Sequence, residues 1–93
     1  MRTIERTGQF KRDFKRELKG RRGNILGVEL PTLALALAQD EVLEARFRDH
    51  ALTGEWKDHR DCHLRPDLVL IYRKPDPETL QLIRLGSHSE LGI

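Results

Sequence analysis

From Gln9 to Lys19 the apolar residues Phe10, Phe14 and Leu18 recur every fourth position among mostly charged ones, a spacing that lays one narrow stripe along a helix. Gly20 and Gly23 bracket Arg21 and Arg22 beyond it, supplying a helix stop and a flexible connection. A second helix is expected over Pro31 to Gln39, because Pro suits a first helical turn and the Leu/Ala run has high helix propensity. Leu30, Leu33, Leu35 and Leu37 are its expected core residues. Asp40 to Glu44 reads as a polar link, and Ala45 to His50 as an extended approach that brings His50 towards the sheet.

In the second half the period changes to two. Arg60 to Arg65 places Asp61, His63 and Arg65 on one face of a strand and Cys62 and Leu64 on the other. Leu68 to Tyr72 is nearly all apolar, the pattern of a central strand covered on both faces. Pro66 and Asp67 turn the chain before it, while Pro75, Asp76 and Pro77 turn it afterwards. Thr79 to Leu85 forms the next strand, ended by Gly86. Such short connections favour antiparallel pairing. With Arg2 to Arg6 as an opening strand, the fold class is α+β: an N-terminal strand, two helices, then a twisted antiparallel sheet. All of it belongs to a single small domain over residues 1–93.

Charge alters this picture by its distribution, since the net value is only +2. Nine of the 17 Lys and Arg residues fall within the first 22 positions, opposed there only by Glu5, Asp13 and Glu17. The first helix, with Lys11 and Lys15, therefore presents either a basic surface for a polyanion or an ordinary solvated face. The single Cys62 excludes an internal disulfide and fits burial in a reducing compartment. Neither an export signal nor an apolar run of membrane-spanning length is present, so a cytoplasmic protein is expected.

The candidate chemistry gathers late in the chain. Three of the four histidines, the only Trp and the only Cys lie between His50 and Asp67, and the fourth histidine, His88, comes after the last strand. His50, His63 and His88, with Asp61 and Asp67, form a set that folding can bring together beside one strand. His59 alternates differently from His63 and reads as surface. Histidine titrates near neutrality and a carboxylate can orient its ring, so general acid–base catalysis is open to this set and requires no cofactor. Metal binding is the alternative, but the spacing is nonspecific: no Cys pair and no H-E-x-x-H occurs. RNA cleavage suits the acid–base reading, because the 2′-hydroxyl is an internal nucleophile and the enzyme need supply only a base, an acid and cations. Trp56 and Lys57 fit base stacking and phosphate contact. Arg84 is open to two roles, a phosphate clamp or a cross-strand ion pair.

The run R-D-H-A-L-T-G-E-W-K-D-H-R-D-C-H-L-R-P-D-L-V-L-I-Y-R, with R-L-G-S-H-S-E-L after it, resembles the YafQ-type branch of the RelE superfamily of bacterial toxins over roughly residues 46 to 91. The resemblance implies a ribosome-dependent mRNA endonuclease of a type II toxin–antitoxin system, with a cognate antitoxin, mRNA and the ribosome as partners and no membrane. It implies His50, His63, Asp67 and His88 as the acid–base centre, with Asp61 in an orienting role. It gives Trp56, Lys57 and Arg84 contacts with the bound message, and the basic helical surface contacts with ribosomal RNA. One departure stands at the tail, where members often place an aromatic and this chain has Gly92 and Ile93. Two other classes stay open: a toxin of this fold that binds a protein target, and a noncatalytic RNA-binding module.

Overall fold

The computed structural model describes residues 1–93 and contains one five-stranded sheet in the order β1-β5-β4-β3-β2. The strands are β1 (Thr3–Arg6), β2 (His50–Ala51), β3 (Arg60–Arg65), β4 (Leu68–Asp76) and β5 (Thr79–Gly86), and the helices are α1 (Gly8–Leu18), α2 (Gly23–Ala38) and α3 (His88–Leu91). The run from β2 to β5 is antiparallel as expected, but β1 lies parallel to β5, with Thr3 opposite Thr79 and Arg6 opposite Leu82. The sheet is therefore mixed. Short connections dictate antiparallel pairing only between successive strands, and β1 is joined to β5 through the rest of the fold.

Helix α1 starts where Thr7 accepts a hydrogen bond from the Phe10 amide at 3.0 Å, while the same hydroxyl donates to the Ile83 carbonyl at 2.8 Å. One residue thus caps the helix and fastens it to β5. Phe10 is buried and stacks on the partly buried Phe14, but Leu18, expected on the same stripe, is exposed. The inward face turns through Asp13 instead. Helix α2 begins at Gly23, earlier than Pro31, where it was expected to start; Pro31 stands mid-helix on the solvent side, at the cost of one backbone hydrogen bond. What carries the helix through Pro31 is its inner face: Leu26, Leu30, Leu33, Ala34, Leu37 and Ala38 are buried at helical spacing. Leu35 falls outside that face and is exposed, contrary to the expectation from the Leu/Ala run. Gly23 is required by the tight α1–α2 link, since a Cβ there would sit 2.3 Å from the Leu18 carbonyl oxygen.

The two helices cover one face of the sheet, where Cys62, Leu64, Leu68, Leu70, Tyr72, Leu80, Leu82 and Leu85 meet Phe10 and the α2 leucines. Burial raises the Cys62 thiol well above its ordinary range, so it is an inert core residue. The opposite face carries a smaller cluster of Val69, Ile71 and Leu91, flanked by Leu52, Trp56, Ile83 and Ile93. Strand β4 is thus covered on both sides, as its apolar run predicts. It extends to Asp76, further than expected, and the tight turn is Pro77–Glu78, held by the Glu78 amide on Asp76 at 2.8 Å. Ala45–Phe47 forms a single 3-10 turn rather than an extended approach, and Arg48 comes next with a left-handed φ of 48°. No helix is long and apolar enough to cross a membrane.

Asp13, only 2% exposed, fastens α1 to β5. Its carboxylate accepts from Arg84 Nε at 2.7 Å, from the Leu85 amide at 3.0 Å and from Arg16 at 2.9 Å. Burial alone would raise this carboxyl, but the bonds from Arg84, Leu85 and Arg16 outweigh it and hold it below its ordinary 3.8. A carboxyl lowered in the fold stabilises it above the unfolded value and loses that contribution as pH falls through the native one. Asp13→Ala is expected to cost roughly 3 kcal/mol at neutral pH, because it strands a guanidinium and an amide. Urea denaturation at falling pH should show the parent and variant curves converging below about pH 4.

Candidate active site

Strand β3 builds the centre of the site by simple alternation. Cys62 and Leu64 enter the core, so Asp61 and His63 face the other way, each less than a tenth exposed. Strand β2 sets His50 directly opposite Asp61. The third expected residue of this face, Arg65, does not join it. A bulge between His63 and Arg65 shifts the register, and Arg65 pairs instead with Glu29 of α2 at 2.8 Å. His88 opens α3, whose capping box joins Ser87 and Glu90, and the helix rests Leu91 against Val69 and Ile71. Asp67 reaches it from the β3–β4 turn, accepting from the His88 amide at 3.0 Å and lying 2.9 Å from His88 Nδ1.

The result is a row of three imidazoles. The His63 ring centre lies 6.2 Å from that of His50 and 5.1 Å from that of His88. Each outer ring has its own carboxylate: His50 Nδ1 is 3.1 Å from Asp61 Oδ1, and His88 Nδ1 is 2.9 Å from Asp67 Oδ1. His50 Nδ1 also lies 2.7 Å from the Arg48 carbonyl. A carbonyl can only accept, so Nδ1 carries a proton, and Nε2 is the ring nitrogen with no hydrogen-bond partner in the protein. The hydrogen bonds from His88, the backbone one foremost, keep Asp67 below the ordinary carboxylate range; as an ionised acceptor it holds the Nδ1–H of His88 and leaves Nε2 as the nitrogen that can pass a proton to another molecule.

His63 and Asp61 are held apart from ordinary behaviour by burial, which lowers the imidazole, against the pull of Asp61, and raises the carboxyl, against the three imidazoles. Both nitrogens of His63 are buried without a hydrogen-bond partner in the protein, Nε2 lying 3.6 Å from Asp61 Oδ1, and that buried oxygen has only the ion-pair approach of His50 at 3.1 Å and no well-aligned hydrogen bond. Such unsatisfied groups are costly and mark a place prepared for another molecule's polar atoms. They border a cleft of about 550 Å³ lined by Arg48, Asp49, His50, Leu52, Asp61, His63, His88 and Ile93. No three His, Cys, Asp or Glu side chains are arranged to share one metal ion.

The structure therefore brings together His50, Asp61, His63, Asp67 and His88. Trp56 packs on the outer apolar cluster with its ring edge-on to His59 at 5.3 Å, and Lys57 is exposed beside it. Lys11 and Lys15 are exposed on α1, across the sheet from the histidines. Arg84 is placed differently from the message contact implied for it: Asp13 holds it against α1, and it does not line the histidine cleft. It forms an ion pair, but with a helix residue and not across strands, as the sequence reading had it. Arg48 is the residue that sequence reasoning missed. Its side chain has no acidic partner and lines the cleft; the cluster of charge in R-F-R-D-H was the available signal.

With this geometry in view, the comparisons with known proteins are specific. Residues 2–92 match the model of the family described as the bacterial toxin of type II toxin-antitoxin system, YafQ. The chain belongs to the YafQ family. The putative toxin YafQ of Haemophilus influenzae is 39% identical over 91% of this chain and 86% of its own length. The mRNA interferase toxin YafQ of Escherichia coli is 36% identical over 97% of this chain and 95% of its own. The crystal structure of the Escherichia coli DinJ–YafQ complex superimposes with a TM-score of 0.80 at 35% identity, covering 98% of each chain. The α+β fold, with its mixed sheet and three helices, is thus that of the YafQ toxins.

Because the native value of His63 lies below its ordinary 6.5, the unfolded chain binds more protons and stability falls as pH drops through that range. NMR titration should place the His63 midpoint below 6.5, and lower still in Asp61→Asn, where the opposing carboxylate charge is gone. The same variant removes a buried charge and should gain about 1 kcal/mol of stability at pH 8, read by thermal denaturation.

Proposed function

We propose that this chain is an mRNA interferase: the toxin of a type II toxin–antitoxin pair, cutting message in the ribosomal decoding site by attack of the 2′-hydroxyl on the adjacent phosphate. The observation that carries this reading is the pair of His–Asp couples flanking a buried, unsatisfied His63. His50, its Nδ1–H turned to the Arg48 carbonyl and Asp61, takes the 2′-hydroxyl proton on Nε2. The oxygen attacks phosphorus, the bond to the 5′-oxygen breaks, and His88, backed by ionised Asp67, delivers a proton to that leaving oxygen. A 2′,3′-cyclic phosphate and a 5′-hydroxyl result. His63 donates to a non-bridging phosphate oxygen between them, and Arg48 opposes the charge that builds there.

The exposed Lys11 and Lys15 of α1 contact ribosomal RNA, and Trp56 with Lys57 contacts the message. On this reading the protein works in the cytoplasm with its translating target. As the Escherichia coli toxin is found with DinJ, this chain pairs with a cognate antitoxin that covers the basic cleft or extends a sheet edge.

Primer extension on translated message tests the reading. His63→Ala and His88→Ala, with unchanged circular dichroism, should each cut about 10²–10⁴-fold more slowly. Undiminished cutting by both would remove the catalytic assignment. Salt-sensitive RNA binding with no cleaved product would leave a binding module, and growth arrest that survives both substitutions would indicate a protein target.

A further inference from the structure

A second cleft adjoins the histidine cleft, sharing Arg48, His63 and His88 with it. Beyond these shared residues it is walled by Arg46, Phe47, Arg65 and Pro66, and encloses about 590 Å³. We propose that it seats the nucleotide flanking the scissile phosphate, an inference that rests on the histidine cleft being the cutting site. RNA is a polymer, so a strand held at the histidines must leave them, and this cleft is a contiguous exit with matching chemistry.

Its lining includes three guanidiniums and no carboxylate. The guanidinium carbon of Arg46 lies over the Phe47 ring, 4.4 Å from its centre. A guanidinium seated on an aromatic ring can take a base on its outer side, since unpaired bases stack on arginine planes as well as on aromatics. The two outer arginines are held differently. Arg46 meets Glu44 at 3.4 Å in an exposed pair that contributes little to stability, while Arg65, itself half-exposed, is fixed at the wall of the cleft by a buried oxygen of Glu29 at 2.8 Å and by the Leu64 carbonyl at 2.7 Å. Arg65 sits here because the β3 bulge removed it from the Asp61–His63 face. Arg46 stands here because Ala45–Phe47 coils before β2 instead of running into it. Both irregularities therefore supply the cation-lined wall. One phosphate and one base are the ligand of this site, with Arg65 on the phosphate and Arg46 under the base.

The test uses the full chain and ribosomes programmed with a defined message, with cleavage rate measured against toxin concentration. Arg65→Gln should raise the half-saturating concentration roughly tenfold, the value of one lost charge-assisted contact, with the saturated rate little changed. Arg65→Lys should recover most of the loss, because a point charge suffices for phosphate. Arg46→Lys should not recover the loss seen in Arg46→Gln, because a plane is needed for stacking. Far-ultraviolet circular dichroism and urea midpoints keep misfolding separate. If the unaltered chain cuts nothing, the catalytic reading fails first. If it cuts, and Arg46→Gln and Arg65→Gln both leave the half-saturating concentration as it was, this subsite is overturned; unchanged cutting with weakened antitoxin affinity would assign the cleft to the antitoxin and overturns it equally.

Discussion

The carboxylate of Asp13 is the tie on which the placement of the later elements depends. It draws Arg84 and the Leu85 amide of β5 to α1, and it also holds Arg16. Arg16 reaches onward to the Leu85 carbonyl at 2.9 Å and to Glu90 of α3 at 3.2 Å. Glu90 closes the capping box that begins the short helix at His88. A buried charge is expensive unless fully paired, and here the pairing is the device that joins three elements. A four-residue helix has almost no stability of its own; α3 keeps its position through this chain of bonds and through Leu91 on the sheet.

At the site the energetic logic runs the other way. Asp61 and His63 are buried with polar atoms unsatisfied, and Arg48 adopts a left-handed backbone that non-glycine residues disfavour. Each feature opposes stability, and each lies on a support that outweighs it: β3 has Cys62 and Leu64 in the main core, and Tyr72 donates to Asp49 at 2.5 Å beside Arg48. The rigid sheet thus holds a polar arrangement that its own side chains leave incomplete.

The elements that could be read from the sequence are those where one local pattern decides the outcome. Alternation along Arg60 to Arg65 puts Asp61 and His63 together because the pleat permits nothing else, and the aromatic repeat likewise announces α1. The misreadings arise where tertiary forces outvote a local rule. Pro31 marks a helix start only if nothing offsets the missing bond, and the six inward residues of α2 do so. Leu18 and Leu35 are leucines that geometry turns outward. Arg65 obeys alternation until a bulge intervenes. The pairing of β1 with β5 and of Arg84 with Asp13 spans more than seventy positions, a separation on which no periodicity bears. His88 and Asp67 join the set by residue type and by the family resemblance, since spacing gives no hint that the β3–β4 turn and the start of α3 meet.

The sheet also separates two basic surfaces. The histidine cleft lies on the outer face, its arginine-lined neighbour runs from there round the end of β3 towards Glu29 of α2, and Lys11 and Lys15 stand on α1 in the helical layer. Packed layers are spaced by about 10 Å, so a single message strand lying at the histidines does not also run along α1. A nuclease acting on free RNA has use for only the first surface. Both are used if the protein enters a site walled by structured RNA, with the message against one face and ribosomal phosphates against the other. Counterion release would then add across the two faces, giving a salt dependence steeper than the few cations around the cutting site can produce.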